Sequence, residues 1–212
     1  MALPLALITG GFLQPGGGIQ GSISAYYHTN MRDLFVGILF MVGLFLISYH
    51  GYDKEDNLVT NFSGLFAIGV ALFPTIVPKT TSAAISHAGG SPADVSESAL
   101  LGVFQLEPEL SGTLHLLWAL LFFILLAYNA YFLFTKTGDK KPGPQKLKRN
   151  IMYRICGILI VASLLGIVFY LTFLQKTVLR LYAPVLILET IALWAFGFSW
   201  LVKGETIFRD EK

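Results

Sequence analysis

The stretch TLHLLWALLFFILLAYNAYFLF, residues 113–134, decides the fold. It contains no aspartate, glutamate, lysine or arginine. As an α-helix it would be about 33 Å long, close to the roughly 30 Å thickness of the hydrocarbon core of a bilayer. Apolar runs of this length are typical of helices that cross membranes, so the stretch predicts one such helix.

Further apolar runs occur on both sides of this stretch. We predict an all-α, polytopic transmembrane helix bundle that forms a single integral membrane domain. Its five predicted spans cover residues 34–49, 61–77, 113–134, 151–174 and 181–202. The N-terminal residues MALPLALITGGFL are apolar but short. We interpret them as a sixth, broken helix or as a segment lying at the membrane surface.

The composition of the whole chain agrees with this class. Hydrophobic residues make up 54% of the 212 residues and charged residues 13%, whereas soluble domains carry about 25% charged residues. A net charge of +2 is too small to suggest a nucleic-acid partner. The single cysteine, Cys156, excludes an intrachain disulfide and any CxxC metal or haem motif.

Lysine and arginine define the orientation of the spans. The segment KTGDKKPGPQKLKR, residues 136–149, is rich in both. Because basic loops stay on the cytoplasmic side, we predict a cytoplasmic basic loop over 136–150 and a cytoplasmic C-terminus. The loop over 79–112 then lies outside. Glycine pairs such as Gly37 with Gly43 would let helices approach closely, and such faces permit a homo-oligomer or a larger membrane complex.

Glu189 is the most informative polar residue, because a carboxyl group inside a span is costly and often functional. Arg32 and His115 are candidate partners from the outer half of the chain. We predict that Arg32, His115 and Glu189 line an outer-facing polar pocket for a lipid or another small ligand. Two alternatives stay open: Glu189 is the proton carrier of a proton-coupled transporter, or it is a structural hydrogen-bonding clasp between helices.

Three histidines fall on the predicted outer side. His28, His87 and His115, together with Asp33, are candidate ligands of a zinc ion, which would activate water for hydrolysis. No two histidines have an HxxxH or HExxH spacing. The alternative is that these side chains bond one another and the backbone at the headgroup level. Our leading prediction has no cofactor, and a zinc-dependent membrane lipid hydrolase is the second.

Two motifs carry a resemblance to known proteins. At SISAYYHTNMRDLFVGILF, residues 22–40, and NFSGLFAIGVALFPT, residues 61–75, the chain resembles a widespread group of small bacterial inner-membrane proteins. That resemblance implies a multi-pass fold and the bacterial inner membrane, without an activity. Ser24 and His28 also resemble the early SxxxH element of the CREST membrane hydrolases. That likeness implies zinc held by histidines, although the late spans lack the HxxxH motif of those hydrolases.

Overall fold

A computed structural model of the chain describes residues 1–13, 18–76, 102–137 and 142–208. Within these ranges the chain is all-helical and contains no β-strand, which confirms the all-α part of the predicted fold class but not its five or six spans. The six α-helices are α1 (Ala2–Leu13), α2 (Arg32–Ser48), α3 (Lys54–Leu72), α4 (Pro108–Tyr128), α5 (Pro144–Phe169) and α6 (Pro184–Lys203). Short 3-10 helices cover Ser24–His28 and Val178–Tyr182, and π-helical turns extend α4 over Asn129–Leu133 and α5 over Tyr170–Leu174.

Among the described residues, three helices are long and apolar enough to cross a membrane: α4 and α5, each with its π-helical extension, and α6. Each of the three begins with proline, whose fixed φ suits the first turn and whose missing N–H would have no partner there. Helix α2 has 17 residues, and α3 carries three charged residues in its first turn. At 12 residues, α1 is about 18 Å long, well short of the hydrocarbon thickness.

Helices α3, α4 and α5 begin before the predicted apolar runs, because polar residues can form the first turns of a helix. Helix α3 begins at Lys54 rather than at residue 61, with Asp53 as its N-cap. Helix α5 begins at Pro144, so the second half of the predicted basic loop is helical. The predicted outer loop over 79–112 ends earlier than expected because α4 begins at Pro108. Hydropathy marks the apolar part of a helix and not its ends.

Each helix from α2 to α6 packs against the next one in the chain. Helices α2 and α3 cross at Gly43 and Gly64. A Cβ atom added at either glycine would clash with the backbone carbonyl oxygen of the other. Gly43 therefore permits close approach, as predicted, whereas Gly37 faces open space. Helices α4 and α5 pack through Phe134 against Tyr153, whose ring centroids are 5.6 Å apart.

Two apolar clusters form the interior. The first joins α4, α5 and α6 around Phe122, Leu126 and Ile160. The second joins α1, the first 3-10 helix, α2 and α3 around Leu7, Tyr26 and Phe35. The seam between the two clusters is where the candidate site lies.

Candidate functional site

Glu189 lies near the start of α6, at the seam between the two apolar clusters. One of its carboxyl oxygens, Oε2, accepts a hydrogen bond of 2.5 Å from the backbone N–H of Ile23. Ile23 immediately precedes the first 3-10 helix, where a backbone N–H has no partner within the helix. The carboxyl group thus joins the last helix to the segment between α1 and α2.

A small cavity lies beside this carboxyl group. It has about 330 Å³ of empty space including its open mouth, and the enclosed part has room for about one water molecule. Side chains from both clusters line it, and among the described lining residues only Glu189 and Ser24 have polar side chains. The apolar lining residues are Leu3, Ile23, Phe35, Leu39, Val70, Ala119, Phe122, Phe123 and Leu193.

The other two predicted pocket residues lie elsewhere. Arg32 is exposed; its guanidinium donates a hydrogen bond of 2.9 Å to the Tyr27 hydroxyl and lies 4.6 Å from the centre of that ring. His115 is buried and bonds the backbone of Phe73. Neither residue lines the cavity beside Glu189. The structure therefore separates the three residues that the sequence grouped, and a ligand role for Arg32 and His115 stays a prediction.

Three side chains converge on the backbone that follows α3. This helix ends at Leu72 because Pro74 cannot donate an N–H to it, and the carbonyls of residues 73–75 are left to find other donors. His115 Nδ1 donates to Phe73 at 2.6 Å, Ser111 Oγ to Pro74 at 2.7 Å, and His28 Nε2 to Thr75 at 2.6 Å. We call these three bonds the carbonyl cradle.

The carbonyl cradle gives a structural role to His28 and His115, two of the four predicted zinc ligands. A carbonyl oxygen only accepts, so His28 and His115 each carry a proton on the bonded nitrogen. Burial lowers the pKa of His28; the bond to Thr75 opposes this shift and the nearby Arg32 adds to it. Asp33 is exposed in the first turn of α2, and His87 lies outside the described residues. Within the described ranges no three histidine, cysteine or acidic side chains are grouped to hold a metal, and the zinc site stays a prediction.

A charged cluster at the opposite end of the bundle was missed by the sequence reasoning. Lys136, just after α4, pairs with Asp53 at 2.9 Å, with Glu55 at 2.9 Å and with Asp56 at 2.7 Å. The Tyr128 hydroxyl donates to Glu55 at 2.5 Å. The signal was present, because alternation of the five predicted spans puts residues 50–57 on the same side of the membrane as the basic loop 136–150.

These contacts shift the ionisation of the cluster in a consistent direction. Burial lowers the pKa of Lys136, but its hydrogen bonds to the three carboxylates outweigh this and hold the pKa above its usual range. The Asp56 backbone N–H and Lys136 hold the pKa of Asp53 below its usual range. The ion pairs of this cluster tie the start of α3 to the end of α4.

The C-terminal residues cover the same end of the bundle. The buried Arg149 donates a hydrogen bond of 2.7 Å to the Phe208 carbonyl and lies 3.4 Å from the Glu205 carboxylate. The Lys203 ammonium lies 4.4 Å from the centre of the Tyr52 ring. Charged side chains thus close this end, whereas Glu189 stands in an apolar setting near the other.

Comparison with known proteins gives no match among protein families, curated proteins or solved structures. The fold and the site together describe an all-helical protein with three helices able to cross a membrane, in which one carboxyl group faces an apolar cavity.

Proposed function

We propose that this chain is a multi-pass membrane protein that binds a small amphiphilic ligand in the cavity beside Glu189, in an accessory rather than catalytic role. One observation carries the proposal: a carboxyl group lines a largely apolar cavity and, among the described residues, accepts a hydrogen bond from the Ile23 backbone N–H. Ligand sites are typically concave and apolar, with a few polar groups that fix orientation. An ionisable group inside a membrane-spanning helix bundle costs stability, so such groups usually have a function.

The proposed topology has five spans, α2 to α6, with α1 entering the membrane as a short sixth helix. The packing of each helix from α2 to α6 against the next one in the chain supports it. Positive loop charge supports a cytoplasmic C-terminus, and the resemblance of residues 22–40 supports a bacterial inner membrane. In a Cys156→Ala background, Asn30→Cys and Lys54→Cys should react with a membrane-impermeant maleimide from opposite sides; labelling from one side would contradict the α2 crossing.

The binding proposal is tested by filling the cavity. Ala119 lines it, so Ala119→Leu should occupy the space that a ligand needs. Ala162 is exposed on α5, and Ala162→Leu adds the same atoms outside the cavity. The purified full chain in detergent should bind at least one of octylamine, octanol and octanoate saturably, as read by thermal unfolding. Binding should survive Ala162→Leu and disappear in Ala119→Leu; no saturable binding by wild type would contradict the proposal.

A proton-coupled transporter is the second candidate, because among the described residues Glu189 forms no ion pair that would hold its charge. Proteoliposomes loaded with a pH-sensitive dye should then show proton flux under an imposed pH gradient. Glu189→Gln should abolish the flux, and an unchanged flux would exclude this role. The predicted zinc hydrolase is tested separately by elemental analysis of wild type and His115→Ala, where absence of stoichiometric zinc in both would exclude it.

A further inference from the structure

Within the described part of the chain, Glu189 has no cationic partner. Among the described residues no lysine, arginine or histidine pairs with its carboxyl group. Within the described part of the chain, its hydrogen-bond donor is the backbone N–H of Ile23, which bonds Oε2. A carboxylate surrounded by apolar side chains is stable only if a counter-charge and hydrogen-bond donors reach it. The described residues supply the Ile23 N–H as a donor, and a ligand can supply the positive charge.

The size of the cavity limits which positively charged head groups can reach Glu189. Its enclosed part has room for about one water molecule. A primary ammonium group is close to a water molecule in size, whereas a trimethylammonium group is several times larger. Ser24 lines the same cavity and offers a hydroxyl oxygen as a second acceptor. Phe35, Phe122 and Phe123 add aromatic rings, which attract cations that lie over their faces.

We propose that the cavity recognises the primary amine head group of an amphiphile, with Glu189 as its counter-ion and the apolar wall in contact with the first carbons of its chain. This inference rests on the proposed function and names the ligand class of the same site. The protonated amine donates to Glu189 Oε1 while Ile23 holds Oε2, so the carboxylate is fixed on one side and satisfied by the ligand on the other.

The test compares three octyl compounds that differ only in the head group: octylamine, octyltrimethylammonium and octanol. Each is titrated into the full chain in detergent, as wild type, Glu189→Gln and Glu109→Gln. Glu109 is exposed in the first turn of α4, so its substitution removes the same charge away from the cavity. We expect octylamine to bind wild type and Glu109→Gln at least about tenfold more tightly than the other two compounds, and Glu189→Gln to lose that preference.

The comparison within wild type keeps the inference testable even if Glu189→Gln does not fold. Octanol binding as tightly as octylamine in wild type would overturn the amine assignment and leave the binding function intact. Equal binding of octyltrimethylammonium would overturn the restriction to primary amines. Preference for octylamine that survives Glu189→Gln would remove Glu189 as the counter-ion. Failure of every octyl compound to bind would instead overturn the proposed function itself.

Discussion

Gly43→Ala tests the crossing of α2 and α3, which holds one wall of the cavity in place. The added Cβ would lie 2.7 Å from Ile68 Cγ1 and 2.8 Å from the Gly64 carbonyl oxygen. Ordinary contacts of this kind begin at 3.4 Å. The isoleucine side chain can rotate, but the carbonyl belongs to the helix backbone, so the two helices must separate by about 0.6 Å. Overpacking of this kind costs about 1–3 kcal/mol.

The helix propensity of alanine offsets part of that cost. Replacing glycine by alanine inside a helix stabilises it by roughly 0.5–1 kcal/mol. We therefore expect a net loss of about 1–2 kcal/mol for Gly43→Ala. For a chain of this length such a loss lowers Tm by roughly 2–8 °C. Gly37→Ala is the matched control, because it lies on the same helix and its Cβ would meet no atom within 4 Å.

The assay is thermal unfolding of the purified full chain in detergent, followed by intrinsic fluorescence. Gly37→Ala should leave Tm unchanged or raise it, whereas Gly43→Ala should lower it. Equal Tm values for the two variants would show that the α2–α3 crossing tolerates a methyl group. The close approach of Gly43 and Gly64 would then contribute nothing measurable to the free energy of unfolding. Glycine would not be required where α2 and α3 cross.

Two further predictions concern the ends of the bundle. Lys136→Met should lower Tm by about 2–4 °C at neutral pH, because it leaves three carboxylates without their shared cation. Since the pKa of Asp53 is lowered in the folded state, the stabilisation is complete above about pH 4 and is lost as the pH falls through the folded-state pKa; the raised pKa of Lys136 preserves it up to about pH 10. A difference between the two proteins that is undiminished at pH 2.5 would contradict this. Ser111→Ala should lower the free energy of unfolding by about 1–3 kcal/mol, because it leaves the buried Pro74 carbonyl without its donor. Thr113→Ala is the control: it removes an exposed hydrogen bond within the same helix and should have little effect. Equal losses in the two variants would refute a special role for the carbonyl cradle.

The sequence predicted the helical class and the unusual position of Glu189 because both follow from local composition. A continuous apolar run indicates a helix in lipid, and a single carboxyl group within one is conspicuous. The ends of the helices were less accurate, since Lys54 and Pro144 continue helices beyond the apolar residues. Hydropathy contains no information on where a polar turn stops.

The partner of Glu189 could not be predicted from the sequence. Arg32 and His115 were chosen because charged and polar side chains are visible in a sequence, whereas the observed donor is the backbone N–H of Ile23. Every residue except proline carries such a group, so its identity depends on tertiary structure. The carbonyl cradle could not be predicted either, because in it His28 and His115 bond backbone oxygens rather than each other or a metal.

The bond between Ile23 and Glu189 also has a consequence for how the protein is made. Its two ends are 166 residues apart in the chain. At about 5–20 residues per second, roughly ten to thirty seconds of synthesis separate them. During that interval most of the helices are already available to insert, yet the cavity has no carboxyl group and no wall from α6. The cavity is therefore completed last, and a chain whose synthesis stops before α6 lacks the carboxyl group on which the proposed binding depends.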